Sequence, residues 1–219
     1  MRVLLLSAYD APSHRRWREG LVQHLEVDWV VEVLPPRHFA WRARGNPLTW
    51  FRKIRDLFRD LPIDLVLCTS MVDLSALRGL VPAMTRVPNI VYFHENQFAY
   101  PVQGGKVDPA LCLLNTYTAL AADTVVFNTE FNRTSMMDGV TQWLKKMRVL
   151  DPEDIVDELM KKSTVIPVGI SPIGPLAVHK TPTEPVRLIW NHRWEYDKGP
   201  DRLFLCLEAL ERRQIDFTI

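Results

Sequence analysis

Ile90–Val102, IVYFHENQFAYPV, is the stretch around which the remaining sequence falls into order. Ile90, Val91, Tyr92 and Phe93 are β-branched or aromatic and run without a polar break. Such a run marks a parallel strand covered on both faces. It stops at four polar side chains, His94, Glu95, Asn96 and Gln97, and Pro101 then blocks a return to regular structure. In open α/β sheets ligands occupy the crevice beyond the strands' carboxyl ends. A His and a Glu placed there can hydrogen-bond, titrate or orient a substrate. The same residues can equally do no more than cap the strand and satisfy loop backbone, since loops carry function disproportionately but not always.

Working outward, the same pattern repeats. Strands are expected at Arg2–Ser7, Trp29–Leu34, Asp64–Cys68, Thr124–Phe127 and Thr164–Val168. Between them, helical periodicity is expected from Ser13 as N-cap to about Leu25, with Trp17, Leu21 and Leu25 as its core stripe. Asn46 and Pro47 would open a second helix to about Asp60. Further helices follow at Leu74–Thr85 with a break near Pro82, at Pro109–Ala122, at Glu130–Met147 and from Pro152 to about Lys162. Strands alternating with helices imply an α/β fold with a doubly wound parallel sheet. We therefore expect residues 1–170 to form one complete Rossmann-like domain.

The next stretch changes character. Pro172, Pro175, Pro182 and Pro185 interrupt it and no apolar period survives, so 171–185 reads as an interdomain linker. The pattern then restarts with strand Val186–Trp190, loop Asn191–Gly199, helix Pro200–Arg213 and strand Asp216–Ile219. One strand–helix–strand unit cannot bury its own faces. Residues 186–219 are thus expected to be the truncated start of a second Rossmann-like domain, and the 219 residues an N-terminal fragment.

Composition narrows the function classes. A net charge of +1 gives no global pull toward a polyanion, and no window approaches the roughly 20 apolar residues of a membrane span. Val3–Leu6 is too short an apolar run for a signal peptide. Cys68, Cys112 and Cys206 are far apart among apolar neighbours, which suits reduced core cysteines in a cytoplasmic protein better than a disulfide framework or a zinc site.

Charge is locally uneven. His14, Arg15 and Arg16 fall in the first turn of the first helix, where the helix dipole disfavours cations by roughly 0.3–1 kcal/mol each. Either an anion docks there or the arginines swing into solvent. From Arg37 to Arg59 there are seven Lys/Arg against one acid, Asp56. Arg37, His38, Trp41, Arg42 and Arg44 interleave bases with aromatics, a composition that suits nucleic-acid contact with stacking and also an ordinary solvated loop.

A second cluster, NHRWEYDKGP at Asn191–Pro200, follows a strand and precedes a helix opened by Pro200. Arg193 and Lys198 are placed where a pyrophosphate could be held by fixed charge and backbone N–H groups. The alternative is surface pairing of these cations with Glu195 and Asp197.

Together YFHENQFAYP, VVFNTEFN, NHRWEYDKGP, SAYDAPSHRRW and LPPRHFAWRARGNP resemble the tRNA-queuosine α-mannosyltransferases, within glycosyltransferase family 4 and the GT-B fold. The resemblance runs from Met1 to Ile219. It implies retaining transfer of mannose from a nucleotide sugar, GDP-mannose, to queuosine at the anticodon wobble position of tRNA-Asp, with no DNA partner. Arg193 and Lys198 would bind the donor diphosphate, with Ser13 and His14 bordering the donor site. His94 and Glu95 would be the catalytic pair, His94 positioning by hydrogen bonds. Asn96, Gln97 and Tyr100 would face the acceptor. Arg15, Arg16, Arg37, Trp41, Arg42 and Arg44 would contact RNA. No D-x-D pair is present, so the resemblance also implies catalysis without a metal or other cofactor. Two departures stand out: the first loop lacks a Gly-Gly pair, which occurs instead at Gly104-Gly105, and the family's E-x7-E element would lie past Ile219. The 219 residues alone are accordingly expected to show weak transfer or none.

Overall fold

The computed structural model describes residues 1–102, 104, 106–170, 174 and 185–219. The expected linker at 171–185 lies, apart from residues 174 and 185, outside the described residues, as does Gly105. Contacts divide the chain into two compact units, Met1–Tyr100 with Val107–Gly169, and Pro101–Lys106 with Ile170–Ile219.

The first unit is built on six parallel strands: β1 (Arg2–Ser7), β2 (Asp28–Val33), β3 (Leu65–Thr69), β4 (Asn89–Phe93), β5 (Thr124–Phe127) and β6 (Ser163–Val165). Their order is β2-β1-β3-β4-β5-β6, so the chain reverses direction across the sheet between β1 and β3, the switch point where the carboxyl-end crevice opens. Register is set by the apolar alternation: Leu5 pairs with Leu67, Leu67 with Ile90, and Val91 with Val125. A one-residue slip would swap the two faces.

The faces are covered unequally. Leu4, Leu6, Val66, Cys68, Val91, Phe93, Val125 and Phe127 point into one large core. Over them pack α2 (Phe39–Asp60), α3 (Leu74–Leu80), α4 (Pro109–Ala121), α5 (Glu130–Lys146) and α6 (Pro152–Lys161). The opposite face carries Tyr92 and Val126 against Trp17 of α1 (Pro12–His24), with Leu21, Leu67 and Ile90 packed around them. The expected core stripe of α1 is therefore shorter: Leu25 caps the helix and is half exposed. No helix among the described residues is long and apolar enough to cross a membrane.

Four local expectations are corrected. Ser13 does not cap α1; Ala11 holds that position with no side-chain bond and Pro12 opens the helix. The expected basic-aromatic loop is helical, because α2 begins at Phe39, after His38 in the left-handed region at φ 56°, and runs straight through Pro47. Asn46 is not its N-cap but the residue that makes Pro47 tolerable. Proline has no N–H for the carbonyl four residues back. The buried Asn46 amide supplies that donor, bonding Ala43 O at 2.8 Å and Arg42 O at 2.9 Å, and also Met71 O at 3.0 Å, while its Oδ1 accepts from Asp73 N. Cys68 and Cys112 are buried as expected, but Cys206 is exposed.

The second unit contains β7 (Val186–Arg187) and β8 (Phe217–Thr218), a parallel pair joined through α7 (Pro200–Arg212). Both strands are shorter than expected. No described residue from 185 to 219 is fully buried, and Ile189, Trp194 and Phe204 are largely exposed. Two strands and a helix have too few layers to enclose an apolar side chain.

Candidate functional site

At the carboxyl ends of β1 and β4, His14 and His94 lie face to face. Their rings are stacked with centroids 4.2 Å apart and planes 14° from parallel. Trp17 and Tyr92 each meet the His94 ring edge-on at 4.8 Å. His94 is thus boxed in by aromatic surfaces, and its Nε2 is buried with no hydrogen-bond partner among the described residues. Burial, together with the charge of His14, holds the His94 pKa down at about 3, so the ring is neutral.

His14 is 6% exposed. Its Nδ1 bonds Tyr9 O at 3.0 Å and its Nε2 faces Glu95 Oε2 at 3.3 Å. Burial opposes charge on His14, but the Glu95 hydrogen bond and the Tyr9 carbonyl outweigh it and the pKa is raised. Both ring nitrogens of His14 are thus engaged within the chain. Ser13, beside it, is exposed.

The crowd of cations at the start of α1 finds its anion within the chain. Asp10 is 2% exposed and accepts from Arg15 Nε at 3.2 Å and from both Arg18 Nε and Nη2, at 3.2 and 3.0 Å. Of the two readings left open there, docking of an outside anion gives way to an internal carboxylate for Arg15, while Arg16 is exposed to solvent.

The polar loop after β4 is held from three sides. Asn96, 3% exposed, donates to Asn132 O, Asn132 Oδ1 and Ser135 Oγ of α5 at 2.9–3.0 Å, and its Oδ1 accepts from Phe98 N and Ala99 N. Gln97 N donates to Asn115 Oδ1 on α4, and Asn115 Nδ2 in turn bonds Ser70 O after β3. Phe98 lies so close to α5 that only a glycine, Gly139, fits beneath it. Asn96 holds the loop shape through a saturated side-chain amide, and Gln97 does so through its backbone N–H. Their own helix partners, Asn115, Asn132 and Gly139, went unnoticed in the sequence; polar or missing side chains on the core side of a helix were the available signal.

Tyr100, at the end of this loop, is partly exposed. Of the basic segment, Arg37 is exposed, Arg42 half-buried, and Arg44 bonded to Asp108. Trp41 is 81% exposed. Because α2 is continuous, Trp41, Leu48, Arg52, Arg55 and Arg59 share one face, a stripe roughly 27 Å long at 1.5 Å per residue. Arg52 and Arg55 flank the Phe51 ring at 5.6 and 5.5 Å, whereas Arg59 is bonded to Asp56 and Asp60.

In the second unit, Gly199 adopts φ 70° and caps α7, with Pro200 as its first residue. Arg193 pairs with Glu195 at 3.0 Å and Lys198 with Asp197 at 2.7 Å. The Lys198 bond holds the Asp197 carboxyl below its ordinary range. This is the surface pairing that the sequence also allowed; a diphosphate would have to compete with two carboxylates. Trp190, Trp194 and Phe204 line an open apolar recess of about 510 Å³ beside it.

The family described as tRNA-queuosine alpha-mannosyltransferase N-terminal matches residues 2–170, the whole of the six-stranded sheet. The chain belongs to this family. A Drosophila melanogaster protein named tRNA-queuosine alpha-mannosyltransferase is 33% identical over 228 residues, an alignment covering 99% of this chain. The chain spans 60% of the length of that relative. Seen against the tRNA-queuosine alpha-mannosyltransferase family, the matched region contains the His14–Glu95–His94 group entire, while Arg193 and Lys198 fall outside it.

Proposed function

We propose that this chain provides the acceptor-side part of an enzyme that transfers mannose, with retention, from GDP-mannose to queuosine at the wobble position of tRNA-Asp. The observation that carries the reading is His94: a neutral imidazole at the carboxyl edge of the sheet, with a buried Nε2 that has no partner among the described residues. A buried polar atom without a partner costs stability, and such atoms concentrate where a ligand completes them. His94 Nε2 would hydrogen-bond a sugar or acceptor hydroxyl, and Glu95 would act through His14. Family membership and the name of the insect relative support the class of reaction.

Arg193 and Lys198 are proposed to release Glu195 and Asp197 and meet the donor diphosphate in their place, stabilising charge as the nucleotide leaves. That role needs no metal, in keeping with the absence of a D-x-D pair. The GT-B arrangement, with 1–170 and 186–219 belonging to separate Rossmann-like domains and 171–185 joining them, and a cytoplasmic setting complete the proposal. Trp41, Arg37 and Arg42, with the Arg52–Arg55 face of α2, are proposed as the RNA-facing surface, through phosphate contact and stacking.

The test is transfer of labelled mannose to purified tRNA by the protein extended to the length of its relatives. GDP-mannose with queuosine-containing tRNA should give RNase-sensitive label; UDP-sugars, or tRNA lacking queuosine, should not. His94→Ala should lower turnover by about 100-fold or more, the usual weight of a positioned proton-transfer or hydrogen-bonding group. Arg52→Glu with Arg55→Glu should weaken tRNA binding and reduce its salt slope by about 2, one per lost phosphate contact. Label that survives RNase, or full turnover by the His94 variant, would refute the reading.

A further inference from the structure

We propose that His14 is a positioning residue for His94: its imidazolium, clamped between the Tyr9 carbonyl and the Glu95 carboxylate, lies flat on the His94 ring and adds to the burial that keeps that ring uncharged. The significance for turnover rests on the reading above; the arrangement itself does not.

The argument begins with proton inventory. A backbone carbonyl only accepts, so the 3.0 Å contact to Tyr9 O requires a hydrogen on His14 Nδ1. An ionised carboxylate also only accepts, so the 3.3 Å contact to Glu95 Oε2 places a hydrogen on Nε2. A ring with hydrogens on both nitrogens is a cation. The backbone contact fixes where the ring lies, and Glu95 fixes its charge.

That cation faces His94 at 4.2 Å in a near-parallel stack. Two imidazolium rings cannot share this geometry at low cost, and Glu95 has committed the charge to His14. The other groups against His94 offer no compensating anion. Trp17 from α1 and Tyr92 from β4 present uncharged ring edges. The Asp10 carboxylate, on the loop before α1, favours charge on His14 and is itself taken up by Arg15 and Arg18. The His94 carbonyl accepts from Asn128 Nδ2 and carries no charge. A neutral His94 can either donate to or accept from a hydroxyl at Nε2, whereas a cation could only donate. The device thus selects the protonation state in which His94 can take a hydrogen bond from an uncharged hydroxyl.

The test reads His94 directly, by side-chain ¹⁵N NMR of the histidines in the 219-residue chain between pH 2.5 and 8. In the wild type, His94 should remain neutral above about pH 4 while His14 titrates above its ordinary value. His14→Asn retains an N–H for Tyr9 O but removes the charge; the His94 midpoint should rise by about one unit or more, a tenfold change in proton affinity. Glu95→Gln should lower the His14 midpoint, because its carboxylate partner is gone, and should leave His94 uncharged wherever His14 still holds its proton. If His14→Asn does not fold, His14→Gln, which also keeps a side-chain N–H, takes its place. A wild-type His94 midpoint near 6.5, or one unmoved in the His14 variant, overturns the proposal. If the midpoints move as expected while His94→Ala keeps full transfer, the pairing stands and the reading of His94 in turnover fails.

Discussion

Gly139→Ala sets two effects of opposite sign against each other. In an exposed helix interior, replacing glycine with alanine stabilises by about 1 kcal/mol, because alanine loses less backbone freedom on folding. Gly139 lies in α5, but the alanine Cβ would stand 2.4 Å from both Cβ and Cγ of Phe98 and 2.6 Å from its Cδ1. Ordinary contact begins at about 3.4 Å, so Phe98 or the helix must move by about 1 Å. Phe98 has little freedom: its N–H is bonded to Asn96 Oδ1 and its ring packs edge-on against Trp143 at 6.0 Å. Overpacking of this kind costs about 1–3 kcal/mol. The net expectation is a loss of up to about 2 kcal/mol, which for a unit of this size lowers Tm by at most roughly 4–8 °C. Thermal and urea unfolding of the wild type, Gly139→Ala, Phe98→Ala and the double variant form a cycle. With the ring removed, the same Gly139→Ala change should become stabilising. A gain of about 1 kcal/mol from Gly139→Ala in the wild-type background would show that the loop yields freely, and would refute the claim that α5 holds the strand-end loop in one shape.

Two further predictions concern residues whose roles emerged only in the fold. Asn46→Ala should cost about 2–4 kcal/mol in urea unfolding, since it strands Ala43 O, which Pro47 cannot serve, and Asp73 N; a loss below about 0.5 kcal/mol would mean that water replaces the amide. The histidine pair should shape the pH dependence of stability with opposite signs. His94 binds its proton in the unfolded state near 6.5 and in the fold only near 3, so stability should fall as pH drops through that window. His94→Gln should flatten this acid limb. The raised pKa of His14 adds stability that is present below 6.5 and lost as pH climbs through its folded value, so His14→Asn should remove a decline on that side. Denaturation midpoints from pH 4 to 8 check both, and an unchanged acid limb in His94→Gln would count against the buried neutral ring.

Much of the fold is legible along the chain because its signals are local. Apolar runs of four to six residues marked β1, β3, β4 and β5, and prolines behind Asp108 and Asp151 marked the starts of α4 and α6. A local rule also misled: Asn-Pro reads as a helix start, and only a contact with Met71, twenty-five residues away, shows Asn46 repairing a helix interior. His94 and Glu95 stood out because they end a buried strand. His14 stood out as a misplaced cation and, through the resemblance, as a neighbour of the donor site, not as a partner of Glu95.

The sequence by itself determined the element order, the parallel sheet and the place of the polar loop at its carboxyl edge, since periodicity and chain breakers act over a few residues. Tertiary structure alone decided what each polar group does there. Glu95 meets His14 across eighty-one residues, and Asn96 reaches Asn132 across thirty-six. Whether a side chain in that loop is a scaffold or a reactive group depends on which partners the sheet order brings within hydrogen-bonding distance, and β1 and β4 are neighbours only through β3. Hydrogen bonding and charge act through space. The opening stretch could therefore show that four polar residues end a strand, but not that two of them hold the loop, one sets a charge, and His94 is left with a nitrogen to spare.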